Sequence, residues 1–328
     1  MTQKLHITTS PHVHSGDTIE RNMRWVIWAL MPALFASFFV FGAGALIVTA
    51  TSVLSCLFFE WFITRFILKR PSTLGDLSAV ITGILLAFNM PSNLPIYMIV
   101  IGALVAIGIG KMAFGGLGNN PFNPALVGRV FLLISFPAKM TSWPVPAGLA
   151  TSYIDAETGA TPLNLIGQIA GGNTAAADQL PGLGELFIGN IGGCIGEVSA
   201  LALLIGFIVL LCSRVITWHI PVTILSTVAV ITGLMWLINP VLYVNPLYHL
   251  CSGGLMLGAI FMATDYVTSP MTHKGMVWYG IGIGFFTVII RYFGSYPEGM
   301  SFAILIMNAV VPLINNWCKP KRFGEAVK

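Results

Sequence analysis

Apolar residues fill most of this chain in long runs, which short polar stretches rich in proline and glycine separate. A helix needs a run of about 20 apolar residues to cross the ~30 Å hydrocarbon core of a bilayer. The pattern therefore predicts an all-α polytopic membrane protein with about ten transmembrane segments. We place them near residues 25–42, 45–68, 77–89, 96–110, 122–137, 190–212, 220–238, 250–263, 276–290 and 301–317.

The third and eighth segments are short for a full crossing, and each runs into a proline-containing turn, "NMPSNLP" and "TDYVTSP". Short, interrupted segments in corresponding places of two halves are typical of an internal repeat with broken helices. The amino-acid sequence supports a repeat, since residues 75–91 resemble residues 251–270 and residues 111–126 resemble residues 291–306. Five segments per unit is an odd number, so we expect two inverted five-span repeats.

Charge agrees with a membrane location and predicts an orientation. Only 9% of the 328 residues are charged and 56% are apolar, whereas soluble domains carry about 25% charged residues. Thirteen of the 16 lysine and arginine residues fall on one predicted face; Lys139 and Arg291 fall on the other, and Arg129 lies inside the fifth segment. By the positive-inside rule, both termini are then cytoplasmic.

This topology divides the chain into five parts. The first residues lack the apolar core and cleavage site of a signal peptide, so we expect a plain cytoplasmic tail there. The parts are a cytoplasmic N-terminal tail (1–24), membrane repeat 1 (25–137), an external loop (138–189), inverted membrane repeat 2 (190–317) and a basic cytoplasmic tail (318–328).

The densest motif is "GKMAFGGLGNNPFNPALVGR" (110–129), which combines glycines, prolines and the amides of Asn120 and Asn123. An unpaired amide at membrane depth is costly, so these side chains need partners. One interpretation is a tight loop that packs one repeat against the other. The alternative is the entry of a half-helix whose amides grip a planar polar ligand.

Three acidic residues lie in or beside the apolar segments: Glu60, Asp76 and Asp265. Burial of a lone carboxylate is expensive, which makes these residues candidates for cation coordination or proton relay. Glu60 alternatively pairs with Arg65 near the interface. Glu197, at the opening of the sixth segment, we interpret as a boundary residue.

Several other classes of site are disfavoured. The five cysteines are scattered without a CxxC pair, which supports neither a disulfide framework nor an iron–sulfur site. We predict no metal site and no catalytic residues of the chain's own. No Walker motif, nucleophile elbow or basic nucleic-acid patch is present, so we expect no nucleic-acid partner.

A polar turn, Thr158-Gly159-Ala160-Thr161, stands in the predicted external loop. The Thr161 hydroxyl, on what the sequence suggests is an exposed and flexible turn, is able to accept a phosphoryl group from an enzyme. The alternative is an ordinary turn in which Pro162 starts the next segment.

Together, the ten segments, the "FGGLGNNPFNPALVGRVFLLISFPAKMTSW" block (114–143), the "TGATPLN" loop and "FMATDYVTSPMT" resemble one family over nearly the whole chain. It is the family of the D subunit of the Rnf ion-translocating oxidoreductase complex and its homologue, the B subunit of the sodium-pumping NADH:quinone oxidoreductase.

The resemblance implies a cofactor. Covalent FMN would be joined by a phosphoester to the last threonine of the pattern, Thr161, with Gly159 and Ala160 completing the attachment turn. A separate flavin transferase would make the bond. The resemblance also implies a second, non-covalent flavin (riboflavin or FMN), for which Asn120 and Asn123 are the candidate contacts.

The resemblance further implies a membrane location and a multi-subunit complex. The chain would be one subunit of a translocase in the bacterial inner membrane, not catalytically complete alone. It would relay electrons coupled to Na⁺ or H⁺ transport, beside a second flavin-carrying subunit, iron–sulfur subunits and other membrane and peripheral subunits. A rival function stays open: a flavin-free channel or secondary transporter with a urea-transporter-like inverted repeat.

Overall fold

The computed structural model describes residues 17–146, 148, 153, 158–197, 199–294, 296 and 298–319. Within these ranges the chain forms α-helices and no β-strand. The helices are α1 (Ile19–Phe41), α2 (Ala43–Phe62), α3 (Ser78–Phe88), α4 (Ile96–Leu104), α5 (Pro124–Ser135), α6 (Pro137–Met140), α7 (Pro162–Ala170), α8 (Leu183–Ile188), α9 (Ala200–Cys212), α10 (His219–Ile238), α11 (Pro246–Cys251), α12 (Leu255–Leu257), α13 (His273–Phe293) and α14 (Met300–Trp317).

The lengths of these helices confirm an all-α polytopic membrane protein. In the described part of the chain, six helical segments are long and apolar enough to cross a bilayer, and three shorter apolar helices accompany them. The six are Ile19–Phe41, Ala43–Ile67, Ile96–Phe114, His219–Ile238, His273–Phe293 and Met300–Trp317; the shorter ones are Ser78–Phe88, Pro124–Ser135 and Ala200–Cys212.

The third and eighth predicted segments are short in the structure as well. α3 has 11 residues, and the eighth segment is α12 followed by a π-helical turn, Gly258–Met262. Two further π-helical turns, Ile63–Ile67 and Val105–Ile109, extend α2 and α4. Each π-helical turn lies within three residues of a charged residue of the sites described below.

The sixth segment differs from the prediction, because its helix begins at Ala200 and not near residue 190. The preceding "GNIGGCIGE" run crosses the broken end of α3, where the Ile195 amide donates to the Met90 carbonyl at 3.1 Å. A Cβ at Gly196 would lie 2.5 Å from the Cβ of Phe88. Only glycine permits this close approach. The backbone that makes the contact is not a regular α-helix, so the helix starts later than predicted.

Corresponding helices of the two halves have corresponding neighbours. In the first half α2 packs on α3 and α4; in the second, α10 packs on the eighth segment and α13. The halves meet where α1 packs on α9 and α5 on α14. At the α1–α9 contact, a Cβ on Gly206 would lie 2.3 Å from the Ala29 carbonyl oxygen, so only glycine permits this approach. The inversion of the second half stays a prediction.

The connection between the halves carries α6, α7 and α8. Its small core is formed by Leu165, Ile169 and Ala176, and the Tyr153 hydroxyl donates to the Leu94 carbonyl. The predicted tail before residue 17, the loop acids Asp155 and Glu157, and the basic tail beyond residue 319 lie outside the described residues. α1 begins at Ile19, inside the predicted N-terminal tail.

Candidate cofactor and ion sites

A large opening between the two halves of the chain holds about 840 Å³ of empty space, its open mouth included, and we call it the large cavity. Its walls come from the start of α1, the starts of α3 and α5, the end of α9 and the stretch after the eighth segment. Apolar side chains form most of the lining, and its polar members include Ser78, Lys111, Asn120, Asn123 and Asp265.

Asn120 and Asn123 reach the cavity wall through the broken backbone before α5. Asn123 caps α5, since its Oδ1 accepts from the Ala125 amide at 3.1 Å, and its Nδ2 donates to the Met262 carbonyl at 3.2 Å. The Nδ2 of Asn120 donates to the Phe122 carbonyl at 3.0 Å. Asn123 therefore joins the two halves, as the packing interpretation expects, and the contact with a planar ligand stays a prediction.

Beside the cavity lies a buried ion pair between Glu60 and Lys111. The Lys111 Nζ is 2.6 Å from Glu60 Oε2 and donates to Ser78 Oγ, also at 2.6 Å. Ser78 in turn donates to Asp76 Oδ1 at 2.5 Å, and Thr73 donates to Glu60 Oε1 at 2.7 Å. One hydrogen-bonded network therefore contains two of the three predicted acids, Glu60 and Asp76.

This network corrects two sequence-based assignments. Arg65 is exposed and takes no part in the pair, so the predicted Glu60–Arg65 alternative is wrong. Lys111, counted among the charges of the cytoplasmic face, is only 2% exposed. A buried ammonium needs a carboxylate close by, and Glu60 supplies it.

Asp265 is the third predicted acid, and it lines the large cavity apart from the network. It follows the end of the eighth segment, and its Oδ2 accepts from Thr268 Oγ1 at 3.2 Å. Burial disfavours the charged form and raises the pKa of the Asp265 carboxyl above its ordinary value. The structure thus groups Asp265 with Asn120 and Asn123, and groups Glu60 with Asp76.

The Thr158–Thr161 turn is held against the chain before it. Thr158 bridges to Pro144, and the Gly159 amide donates to the Trp143 carbonyl at 2.9 Å. Thr158, Gly159 and Ala160 are exposed, whereas Thr161 is only 7% exposed. The prediction that the Thr161 hydroxyl is exposed is therefore wrong. Thr161 caps α7: its Oγ1 accepts from the Asn164 amide at 3.2 Å.

Thr161 faces a second, smaller opening of about 340 Å³, which we call the Thr161 cleft. The cleft is also lined by Trp143, Gly253 and two carboxylates, Glu197 and Glu298. Glu197 is 9% exposed and Glu298 7%, so Glu197 is a buried group and not merely the boundary residue that the sequence suggested.

Arg129, the cation inside the fifth segment, extends from α5 to one of the two carboxylates that line this cleft. Its guanidinium pairs with the Glu298 carboxylate, donates to the Ser301 hydroxyl and donates through Nε to the Asn89 carbonyl. Arg291 is buried as well and donates to the carbonyls of His249 and Ser252 at 2.7 and 2.9 Å. Arg291 was counted as a surface charge, and the structure places it inside.

The large cavity and the Thr161 cleft lie at opposite ends of the same helices. Residues just before α5 line the cavity, whereas Trp143 lines the cleft beyond its other end. Likewise Leu210, near the end of α9, lines the cavity and Glu197, before its start, lines the cleft. The 13 residues of α9 span ~20 Å at 1.5 Å per residue.

Reasoning from the sequence missed four residues of these sites: Lys111, Arg129, Glu197 and Glu298. A signal existed for two of them. Arg129 interrupts an apolar run, and the matched blocks 111–126 and 291–306 each begin with a cation, Lys111 and Arg291. Glu298 carries no local signal, because its partners come from distant parts of the chain.

Comparison with known proteins finds relatives over nearly the whole chain. The sequence matches the NQR2, RnfD, RnfE family over residues 6–324. It is 45% identical over 325 residues to the D subunit of the Na(+)-translocating ferredoxin:NAD(+) oxidoreductase complex of Acetobacterium woodii, and the match covers 98% of this chain and 95% of the relative. Identity to the D subunit of the proton-translocating ferredoxin:NAD(+) oxidoreductase complex of Clostridium ljungdahlii is 40% over 322 residues, 97% of this chain and 96% of the relative.

A third relative is the D subunit of the ion-translocating oxidoreductase complex of Cronobacter sakazakii, which is 39% identical over 352 residues, 97% of this chain and 99% of the relative. The matches extend across both halves of the membrane fold and the connection that bears Thr161. The chain therefore belongs to the NQR2, RnfD, RnfE family of membrane proteins, as the sequence motifs indicated.

Proposed function

We propose that this chain is a membrane subunit of a redox-driven, cation-translocating oxidoreductase complex and carries covalent FMN on Thr161. The relatives in A. woodii and C. ljungdahlii bear the names of such subunits. The observation that carries the proposal is the position of the Thr161 hydroxyl, which caps α7 and faces a cleft.

The residues around Thr161 fit a phosphoester. The first amides of a helix attract anions, and the helix dipole favours negative charge at this end. α7 has nine residues and begins at Pro162, directly after Thr161. The exposed Gly159 and Ala160 leave the approach open to a flavin transferase. When bound, a flavin supplies the electron-transfer chemistry.

The large cavity fits a second, non-covalent flavin. Small-molecule sites combine apolar walls with a few polar groups, and the lining of the large cavity has this composition. Asn120 and Asn123 would hold the polar edge of the ring system, with the Lys111 ammonium and Asp265 nearby. The apolar walls formed by Ile81, Leu85 and Phe261 would exclude water.

The two sites lie at opposite ends of α9, which is ~20 Å long. The predicted topology places the large cavity near the cytoplasmic face and Thr161 outside. We therefore expect partner subunits at both ends, among them iron–sulfur subunits and a second flavin-carrying subunit. Asp265 in the cavity and the Glu60–Asp76 network beside it are the proposed ion-coupling groups. The two relatives are named for different cations, so the proposal covers Na⁺ or H⁺.

Denaturing gel electrophoresis of the purified complex tests the covalent flavin. We expect this subunit to fluoresce under ultraviolet light, Thr161→Ala to abolish the fluorescence, and mass spectrometry to find FMN on the peptide that contains residue 161. Thr158→Ala is the matched control, because it removes the other, exposed threonine of the same turn and should keep the fluorescence.

Fluorescence that persists in Thr161→Ala would overturn the attachment site. A complete lack of flavin in the wild-type subunit would favour the rival function, a channel or secondary transporter, since neither needs the cofactor.

A further inference from the structure

Two buried carboxylates converge at the inner end of the Thr161 cleft. Glu197 precedes α9 and Glu298 precedes α14, and each lies at the start of a different helix of the second half. A carboxylate oxygen of each and the Cys194 Sγ all lie within 4.8 Å of one another. Both glutamates are at least nine-tenths buried.

Each carboxylate keeps one oxygen without a hydrogen-bond partner among the described residues: Oε1 of Glu197 and Oε1 of Glu298. Both oxygens face the same small space above Gly254. A Cβ built on Gly254 would lie 2.6 Å from Oε1 of Glu298 and 3.4 Å from Oε1 of Glu197. Unpaired carboxylate oxygens in a buried place are costly, so their convergence points to a ligand that accepts their lone pairs.

The surrounding charges select the kind of ligand. The Arg129 guanidinium pairs with Glu298 through its other oxygen, Oε2, and both Arg129 and Arg291 attract the Glu197 carboxylate. Only Glu298 has a guanidinium in direct contact among the described residues, because Arg291 donates to the carbonyls of His249 and Ser252. About one carboxylate charge is therefore left without a direct partner, which a monovalent ion would match and a divalent ion would exceed, and excess buried charge is expensive.

The donor atoms select a hard ion. The free donors are carboxylate oxygens, which suit hard cations, whereas soft metals prefer thiolates. The Cys194 thiol donates its hydrogen to the Asn89 carbonyl at 3.4 Å and is thus engaged as a protonated thiol. The cleft beside the carboxylates can admit water to complete the coordination of a small cation.

We propose that Glu197 and Glu298 form a binding site for a monovalent hard cation of the Na⁺ class, at the inner end of the Thr161 cleft. The site is separate from Glu60, Asp76 and Asp265. It rests on the carboxylate geometry and does not require a flavin on Thr161, although a cation here would also offset the charge of a phosphoester beside two carboxylates.

Equilibrium binding of ²²Na⁺ to the purified complex tests the site. Glu197→Gln removes the charge with little change in shape, and we expect it to eliminate one bound Na⁺ per chain or to weaken its binding by at least about tenfold. Glu185→Gln is the matched control, since Glu185 is an exposed glutamate of the connection between the halves and should bind Na⁺ as the wild type does.

Gly254→Ala tests the same space without removing any charge. The backbone φ of Gly254 is −71°, which alanine tolerates, while the added Cβ would occupy the space between the two Oε1 atoms. We expect the same loss of Na⁺ binding. Elution of the intact complex and gel fluorescence of the subunit show whether each variant has assembled.

Wild-type Na⁺ binding in assembled Glu197→Gln and Gly254→Ala complexes would overturn the proposal. So would Cd²⁺ binding that disappears in Cys194→Ser while Na⁺ binding is absent from the wild type, because the site would then be a thiolate metal site. Thr161→Ala separates this proposal from the flavin attachment: it should lose the flavin and keep the bound Na⁺, whereas Glu197→Gln should keep the flavin.

Discussion

At the scale of single residues, the Glu60–Lys111 pair is a fully buried and fully hydrogen-bonded feature of the first half. Both side chains are at most 2% exposed, and their charged atoms are 2.6 Å apart. Thr73 and Ser78 complete the hydrogen bonding of the two groups. A buried pair satisfied in this way holds its elements in one arrangement, whereas either partner alone would leave an uncompensated charge.

We predict that Lys111→Met destabilises the subunit by about 3–5 kcal/mol, because it leaves the Glu60 carboxylate buried without its partner. The double variant Lys111→Met/Glu60→Gln should recover most of the loss, since neither side chain is then charged. Thermal unfolding of the purified complex measures the effect as a lower midpoint.

Lys139→Met is the control for that prediction, because Lys139 is exposed and its loss should leave the midpoint unchanged. Equal midpoints for the Lys111 and Lys139 variants would show that the ion pair does not stabilise the subunit.

At the scale of elements, the polar groups of both sites lie where an α-helix is interrupted or begins. The π-helical turns Ile63–Ile67, Val105–Ile109 and Gly258–Met262 adjoin Glu60, Lys111 and Asp265 in sequence. Such turns are rare inside α-helices and frequent at functional sites. The beginning of α7 is the corresponding feature of the Thr161 cleft, because its cap is the proposed attachment residue.

The two roles of Thr161 can be separated by substitution. We predict that Thr161→Ala loses both the covalent flavin and the helix cap, at a cost of about 1 kcal/mol, whereas Thr161→Asn loses the flavin and keeps the cap. Hydrogen–deuterium exchange in the first turn of α7 should therefore accelerate several-fold in the alanine variant relative to the asparagine variant. Equal exchange in both would mean that the side-chain cap does not hold α7.

At the scale of the whole molecule, the two sites lie at opposite ends of helices that cross the fold together. α5 and α9 each extend from the large cavity towards the Thr161 cleft, and each belongs to a different half. Arg129 on α5 and Glu298 before α14 join the halves near the cleft, as Asn123 and Met262 do at the cavity. A displacement between the halves would therefore alter both sites at once.

Membrane-impermeant maleimide labelling of intact cells tests the orientation of this arrangement. In a background in which the exposed Cys212 is serine, Asp178→Cys in the predicted external loop should react, whereas Lys274→Cys should react only after permeabilisation. The expected contrast is at least about tenfold and follows from the positive-inside rule. The opposite pattern would reverse the topology and place Thr161 in the cytoplasm.

Much of the fold was predictable because apolar run length is a local property of the chain. The broken third and eighth segments were visible as short runs that end in proline-containing turns. The start of the sixth helix was not, because the Gly196 backbone is determined by its contact with Phe88, which lies far earlier in the chain.

The candidate sites divide in the same way. The Thr161 turn and the Asn120–Asn123 motif are continuous stretches of sequence, so each could be identified as a candidate site from its local motif alone. Lys111 and Glu197 are ordinary charged residues near segment ends, and only their burial against Glu60 and beside Glu298 distinguishes them from surface charges.

The amino-acid sequence by itself determined the all-α membrane architecture, the approximate places of the apolar segments, and the family, since hydrophobic run length and local motifs carry these properties. Only the tertiary structure decided that Thr161 is buried at a helix cap, that Glu60 pairs with Lys111, and that Glu197 and Glu298 converge above Gly254. The physical reason is that the cost of burying a charge depends on which distant side chain compensates it, and packing between helices, not spacing along the chain, sets that partner.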